Sequence, residues 1–127
     1  YHGIPKKYFD KGDPYHCYCH KTTRLISENI KTSIPIMTTF QSRFGPQEWL
    51  QPYTDKTLEK LPKEDKKNIL VICPGFASDC VETLEEISME GKESFLGSGG
   101  KNFDFVPCLN DNDDHTNLFA NLVKKYI

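Results

Sequence analysis

The chain has 127 residues, enough for one core of ordinary size and too few for two. Hydrophobic residues make up 37%, aromatics 12% and charged residues 27%, a balance that excludes disordered, collagenous and membrane-spanning classes. Sixteen basic against eighteen acidic residues leave a net charge of -2, which speaks against the basic footprint of a nucleic-acid binder.

The average hides a gradient. Residues 1–31 carry six Lys or Arg against three acids, whereas 79–104 carry seven acids against two lysines. The longest apolar run, Ile69 to Cys73, falls far short of the roughly 20 residues that cross a bilayer. No signal-peptide pattern opens the sequence, so the expected compartment is the cytoplasm. Five cysteines, an odd number, read as reduced thiols rather than a disulfide framework. The sequence opens Tyr1-His2-Gly3 without Met, directly on residues suited to chemistry, which suggests a piece of a longer protein.

In chain order, Gly12-Asp13-Pro14 is turn chemistry that leads into a helix predicted over Tyr15 to Ile30, with Pro35 beyond its end. Ile36 to Gln41 predicts a short strand, stopped at Gly45-Pro46. Thr54 to Leu61 predicts a helix with Leu58 and Leu61 on one face and Pro62 limiting it. Ile69 to Cys73 is a continuous apolar run of the kind buried on both faces of a sheet. After the Pro74-Gly75-Phe76 loop, Ser78 or Asp79 is expected to cap a helix running to about Phe95 or Leu96, ended by Gly97, Gly99 and Gly100. Phe103, Phe105 and Val106 predict a last strand, and Asp114 a cap for a closing helix with Leu118, Leu122 and Val123 at helical spacing.

This alternation predicts an α/β fold over residues 1–127: a doubly wound, mainly parallel sheet of about four strands with flanking helices, Rossmann-like or flavodoxin-like. Tyr1 to Pro5 are expected to fray as a chain end. Ligands in such sheets sit beyond the carboxyl ends of the strands, so the strand-end loops are where function is sought.

Glu82, Glu86 and Glu90 are spaced four apart, which on an α-helix puts them on one face, with Asp79 extending the line. Such a row is either a solvated face or a path for hard and borderline cations such as Fe²⁺. His2, at the end of an expected strand, supplies an imidazole that accepts protons near neutral pH, or serves only structure. His16-Cys17-Tyr18-Cys19-His20 sets two imidazoles at i, i+4, but the thiols point about 200° apart on a helix and cannot both join the histidines at one tetrahedral zinc. Trp49 with Phe44, Tyr53 and Phe76 lines an apolar slot or belongs to the core.

Four ordered stretches together resemble the C-terminal domain of ferrochelatases of bacterial type. They are His2-Gly3-Ile4-Pro5 with Gly12-Asp13-Pro14-Tyr15, Phe40 to Leu50 followed by Thr54-Asp55, Pro74 to Ile87, and Leu109-Asn110-Asp111. The resemblance implies one half of a lyase that inserts Fe²⁺ as a substrate into a porphyrin, protoporphyrin IX, in haem biosynthesis. It implies a further, N-terminal domain as partner, no nucleic acid, and peripheral membrane association of the whole enzyme; taken alone, residues 1–127 are expected to be inactive.

By the same carry-over, His2 and Glu82 are the catalytic pair, Ser42, Trp49 and Phe76 contact or flank the macrocycle, and His2, Glu82, Glu86 and Glu90 handle the metal. Cys80 stands where many relatives have His, and no cysteine-rich extension follows, so no [2Fe-2S] cluster is expected. A non-catalytic flavodoxin-like binding module and a metal module centred on His16 to His20 are the competing readings.

Overall fold

Two parallel strands organise the second half of the computed structural model, which describes residues 1–127. β1 (Asn68–Ile72) runs beside β2 (Asn102–Val106), with Asn68 opposite Asn102 and Ile72 opposite Val106. Because side chains alternate along a strand, Ile69 and Val71 turn to the same face as Phe103 and Phe105. There they meet Leu58, Cys73, Ile87 and Phe95 in the larger core cluster. The apolar run predicts burial on both faces, and the structure buries one: Leu70 is 65% exposed and Ile72 37%. Helices α3 (Thr54–Lys60) and α5 (Lys92–Gly97) pack on the buried side. Closing helix α6 (Asp113–Val123) does not cover the other, and its Leu118, Leu122 and Val123 stay largely exposed.

A second, smaller cluster gathers Cys19, Phe40 and Leu50 with Tyr1, Ile4 and Tyr15. It rests on the long helix α2 (Tyr15–Ile30), which has the bounds its sequence predicts. Asp13 starts that helix by accepting from the Tyr15 amide at 2.8 Å, and Lys31 ends it in the left-handed region at φ 53°. A short helix, α1 (Lys6–Asp10), precedes it where no element was expected.

Several expectations are corrected. The sheet has two strands and not about four. Of the predicted strand Ile36 to Gln41 only the last two residues pair, Phe40 with Tyr53 and Gln41 with His2. Tyr1 to Pro5 do not fray: Tyr1 N donates to Thr39 O, Gln41 N to Tyr1 O and Gly3 N to Gln41 O, the slanted pattern of a parallel pair. On their other side Leu50 N donates to Ile4 O and Lys6 N to Glu48 O. Backbone pairing on two sides outweighs the entropy that loosens a chain end.

The helix expected from Ser78 or Asp79 onward begins later and is not uniform. α4 (Val81–Thr83) is one turn, capped by Cys80. A π-helical stretch over Leu84–Gly91 follows, and α5 completes the run. Asp79 cannot cap because its carboxylate is engaged by Asn110 and by the Cys108 amide, so the cap passes to Cys80, whose thiol serves the Thr83 amide while the Thr83 hydroxyl serves the Cys80 amide. In α6 the cap is Asn112, accepting from Asp114 N, and not Asp114 itself. No helix is long and apolar enough to cross a membrane.

Gly100 follows α5 because the chain must pass directly over the Phe95 ring, which is wholly buried. A Cβ there would lie 2.2 Å from one ring atom and 2.3 Å from the next. Gly100→Ala is therefore expected to destabilise the full-length protein by about 1–3 kcal/mol through forced overpacking, read by chemical denaturation. An unchanged midpoint would contradict the close approach.

Candidate functional site

The polar centre of the molecule is the side chain of Gln41, 4% exposed and set between the two core clusters. Its amide nitrogen donates to the Glu82 carbonyl at 2.6 Å and to the Glu86 carboxylate at 3.0 Å. Its amide oxygen accepts from the Cys73 thiol at 3.7 Å. Burial pushes that thiol up to about 11, so the sulfur keeps the proton it donates.

Ser42 completes the grip on Glu86. Its backbone amide donates to one carboxylate oxygen at 2.6 Å and its hydroxyl donates to the other. Both groups reach one carboxylate because Ser42 takes the left-handed conformation at φ 63°, uncommon for a residue with a Cβ and characteristic of functional sites. Glu86 and Glu90 then line a cavity of about 340 Å³ together with Ser42, Arg43 and Asp55. Arg43 is paired with Asp55 at 2.6 Å and lies over the Tyr53 ring, so its charge is already engaged.

His2 stands on the other side of Gln41 through the backbone bridge between the two residues. The Tyr15 hydroxyl donates to the His2 carbonyl at 2.8 Å, and burial raises that phenol well above its usual range, keeping it a donor. The His2 Nδ1 lies 2.6 Å from the Gly3 carbonyl. A carbonyl only accepts, so Nδ1 carries the proton and the neutral ring presents Nε2 as its basic atom. Trp49 and Phe76 flank the imidazole, each with its ring centre 6.4 Å from that of His2. Trp49 is pinned by its indole N–H, which donates to Phe44 O at 2.9 Å.

Glu82 opens α4. Its carboxyl is held below the ordinary range, first by the Cys80 thiol, then by its own backbone amide, with a contribution from the positive charge His2 can carry.

The seven candidate residues fall into two adjoining groups. His2, Trp49 and Phe76 gather at one rim, with Glu82 joined to it through Gln41, whose amide donates to the Glu82 carbonyl, while Ser42, Glu86 and Glu90 meet at the cavity. The row is not the evenly spaced α-helical ladder its spacing implies, because Glu86 and Glu90 lie on the π-helical stretch, where each turn is wider. No three His, Cys, Asp or Glu side chains converge as one metal-binding group. The slot expected from four aromatics is made by Trp49 and Phe76; Phe44 is 83% exposed and Tyr53 packs under Arg43.

Residues given no role from the sequence hold the rim in place. Gln41 is the first, and its signals in the sequence are a polar residue ending an apolar strand pattern and its place in the Phe40 to Leu50 stretch. Asn110 is the second: its side chain accepts from Asp79 N at 2.8 Å and donates to Asp79 at 2.9 Å, tying the 74–80 loop to the segment after β2. Buried Thr83 donates to Asp79 at 3.0 Å from below.

Fold and rim together define an α/β domain with an imidazole, aromatic walls and a carboxylate row at a strand end. The chain belongs to the ferrochelatase family, whose family model matches residues 1–127. Among curated proteins named ferrochelatase, those of Allorhizobium ampelinum, Marinobacter nauticus and Francisella tularensis subsp. novicida are 58%, 55% and 49% identical to it. The alignments cover 98%, 98% and 100% of this chain. The chain spans only 37%, 34% and 39% of those relatives' lengths.

The Asn110 amide, the Cys108 amide and Thr83 all hold the Asp79 carboxyl below its usual 3.8, the Asn110 bond most. A lowered carboxyl stabilises the fold above its unfolded value and loses that contribution as pH falls through the folded one. Full-length protein is therefore expected to lose stability more steeply below about pH 4 than its Asp79→Asn variant does, in denaturation series from pH 7 to pH 3. Parallel curves would contradict the assignment.

Proposed function

We propose that this chain is the C-terminal domain of a ferrochelatase that inserts Fe²⁺ into protoporphyrin IX in haem biosynthesis. The porphyrin is held between this domain and an N-terminal one. The observation that carries the reading is the His2 imidazole, fixed by a hydrogen bond at Nδ1 and walled by Trp49 and Phe76.

A free porphyrin keeps two protons on its inner nitrogens, and both must leave as a dication takes their place. His2 Nε2 takes a pyrrole proton, since a neutral imidazole is a competent base near pH 7. Glu82, a carboxylate at neutral pH like any ordinary glutamate, orients the resulting imidazolium and passes the proton outward. Ser42, Trp49 and Phe76 serve as rigid walls for the macrocycle. Glu86 and Glu90, facing the cavity, form the acidic surface past which Fe²⁺ or the released protons move. Two protons leave for each dication gained, so the product is no more cationic than the substrate, and an acidic wall attracts the incoming ion more than it retains the product.

Fe²⁺ enters this reading as a substrate, and no [2Fe-2S] cluster is part of it. A cytoplasmic enzyme with peripheral membrane contact, where an apolar porphyrin is handed over, belongs to the same reading.

In the full-length enzyme, His2→Ala is expected to lower porphyrin metallation by about 10²-fold or more with the thermal unfolding profile retained, the range for loss of a general base. Activity within a few-fold of wild type would remove His2 from the reaction.

A further inference from the structure

Outside the residues gathered around Gln41, α2 carries a pair of histidines whose geometry the proposed reaction does not use. His16 and His20 stand at i, i+4, with ring centres 4.4 Å apart and planes inclined at 47°. Neither imidazole has a hydrogen-bond partner in the protein, in contrast to His2 and His115, whose Nδ1 atoms each meet a carbonyl. His16 is held by aromatic packing instead, tilted on Phe9 at 4.8 Å and stacked on Phe40 at 5.8 Å. It lines a cavity of about 300 Å³ with Trp49, Glu48 and Lys6, and the Lys6 ammonium is drawn aside by Asp10 at 2.9 Å. His20 is exposed beside it.

We propose that His16 and His20 form a two-imidazole chelate for a borderline divalent transition ion, a site additional to the reaction centre and independent of the function assigned above. Two imidazole nitrogens each about 2.0–2.1 Å from one ion and cis at about 90°, as in the tetragonal coordination of Cu²⁺ or Ni²⁺, put their ring centres about 4.5 Å apart, since a ring centre lies about 1.1 Å behind its nitrogen. The His16 and His20 ring centres stand at that spacing. Imidazole suits zinc, copper, nickel and ferrous iron, whereas Mg²⁺ prefers oxygen ligands and retains its water. Cys19 is buried in the core beneath the helix and takes no part. Water completes the coordination.

The test uses the full-length protein with Cu²⁺ as the probe, followed by equilibrium dialysis and electron paramagnetic resonance. Wild type and His2→Ala are expected to bind one Cu²⁺ with superhyperfine splitting from two imidazole nitrogens, undisturbed by excess Mg²⁺. His20→Gln, an exposed change that leaves the His16 packing intact, is expected to weaken that binding by at least the 10- to 100-fold that loss of an outer-shell partner costs. Porphyrin metallation by His20→Gln is expected to stay at the wild-type rate. Unchanged Cu²⁺ affinity in His20→Gln, loss of the two-nitrogen signal in His2→Ala, or a wild-type spectrum without two nitrogens would each overturn the proposal.

Discussion

The structure turns on one buried amide. Gln41 pairs through its backbone with Tyr1 and Gly3, and through its side chain with Cys73, Glu82 and Glu86. A polar group this deeply enclosed costs free energy unless every donor and acceptor is matched, and here they are, with no buried side-chain polar atom left unpartnered anywhere in the chain. The matching is also what specifies geometry. A hydrocarbon of similar size would fill the space between the two core clusters, but it would not fix which residue of the π-helical stretch faces which residue of the strand end.

Placement of the chemistry follows from that joint. His2 is set on the strand side and Glu82 on the helix side, and the amide holds the two sides in register. Glu86 is gripped rather than free, since the Ser42 amide and hydroxyl and the Gln41 amide all converge on its carboxylate. The unusual backbone of Ser42 and the widened helical turn are the local costs of bringing those donors and that carboxylate together. A second tie, Asp79 with Asn110 and Thr83, holds the loop that carries Phe76 and presents Glu82.

What the amino-acid pattern discloses, and what it conceals, has a physical basis. Helix α2, the run of α3, and both strands appear where local signals agree: turn residues before Tyr15, Leu58 and Leu61 on one face with Pro62 limiting the run, and continuous or alternating apolar residues. The π-helical stretch is invisible to spacing because an i, i+4 pattern serves an α-helix and a wider turn alike. The displaced cap at Cys80 arises from a contact made 31 residues away, between Asp79 and Asn110, which no local rule contains. The order of Tyr1 to Pro5 likewise depends on partners at Thr39 to Gln41 and Glu48 to Leu50. Of the site, the residue types and their motif order were legible. The division into a rim and a cavity was not, because it depends on Gln41, whose role is set entirely by tertiary neighbours.

A double-mutant cycle on the full-length protein, pairing Gln41→Met with Glu86→Gln and read by unfolding free energy, tests the joint most directly. Direct bonding across the amide predicts a coupling of about 1 kcal/mol or more, since residues in one hydrogen-bond network are not additive. Additivity within about 0.3–0.5 kcal/mol, the behaviour of distant independent sites, would show that the amide does not hold strand and helix in register.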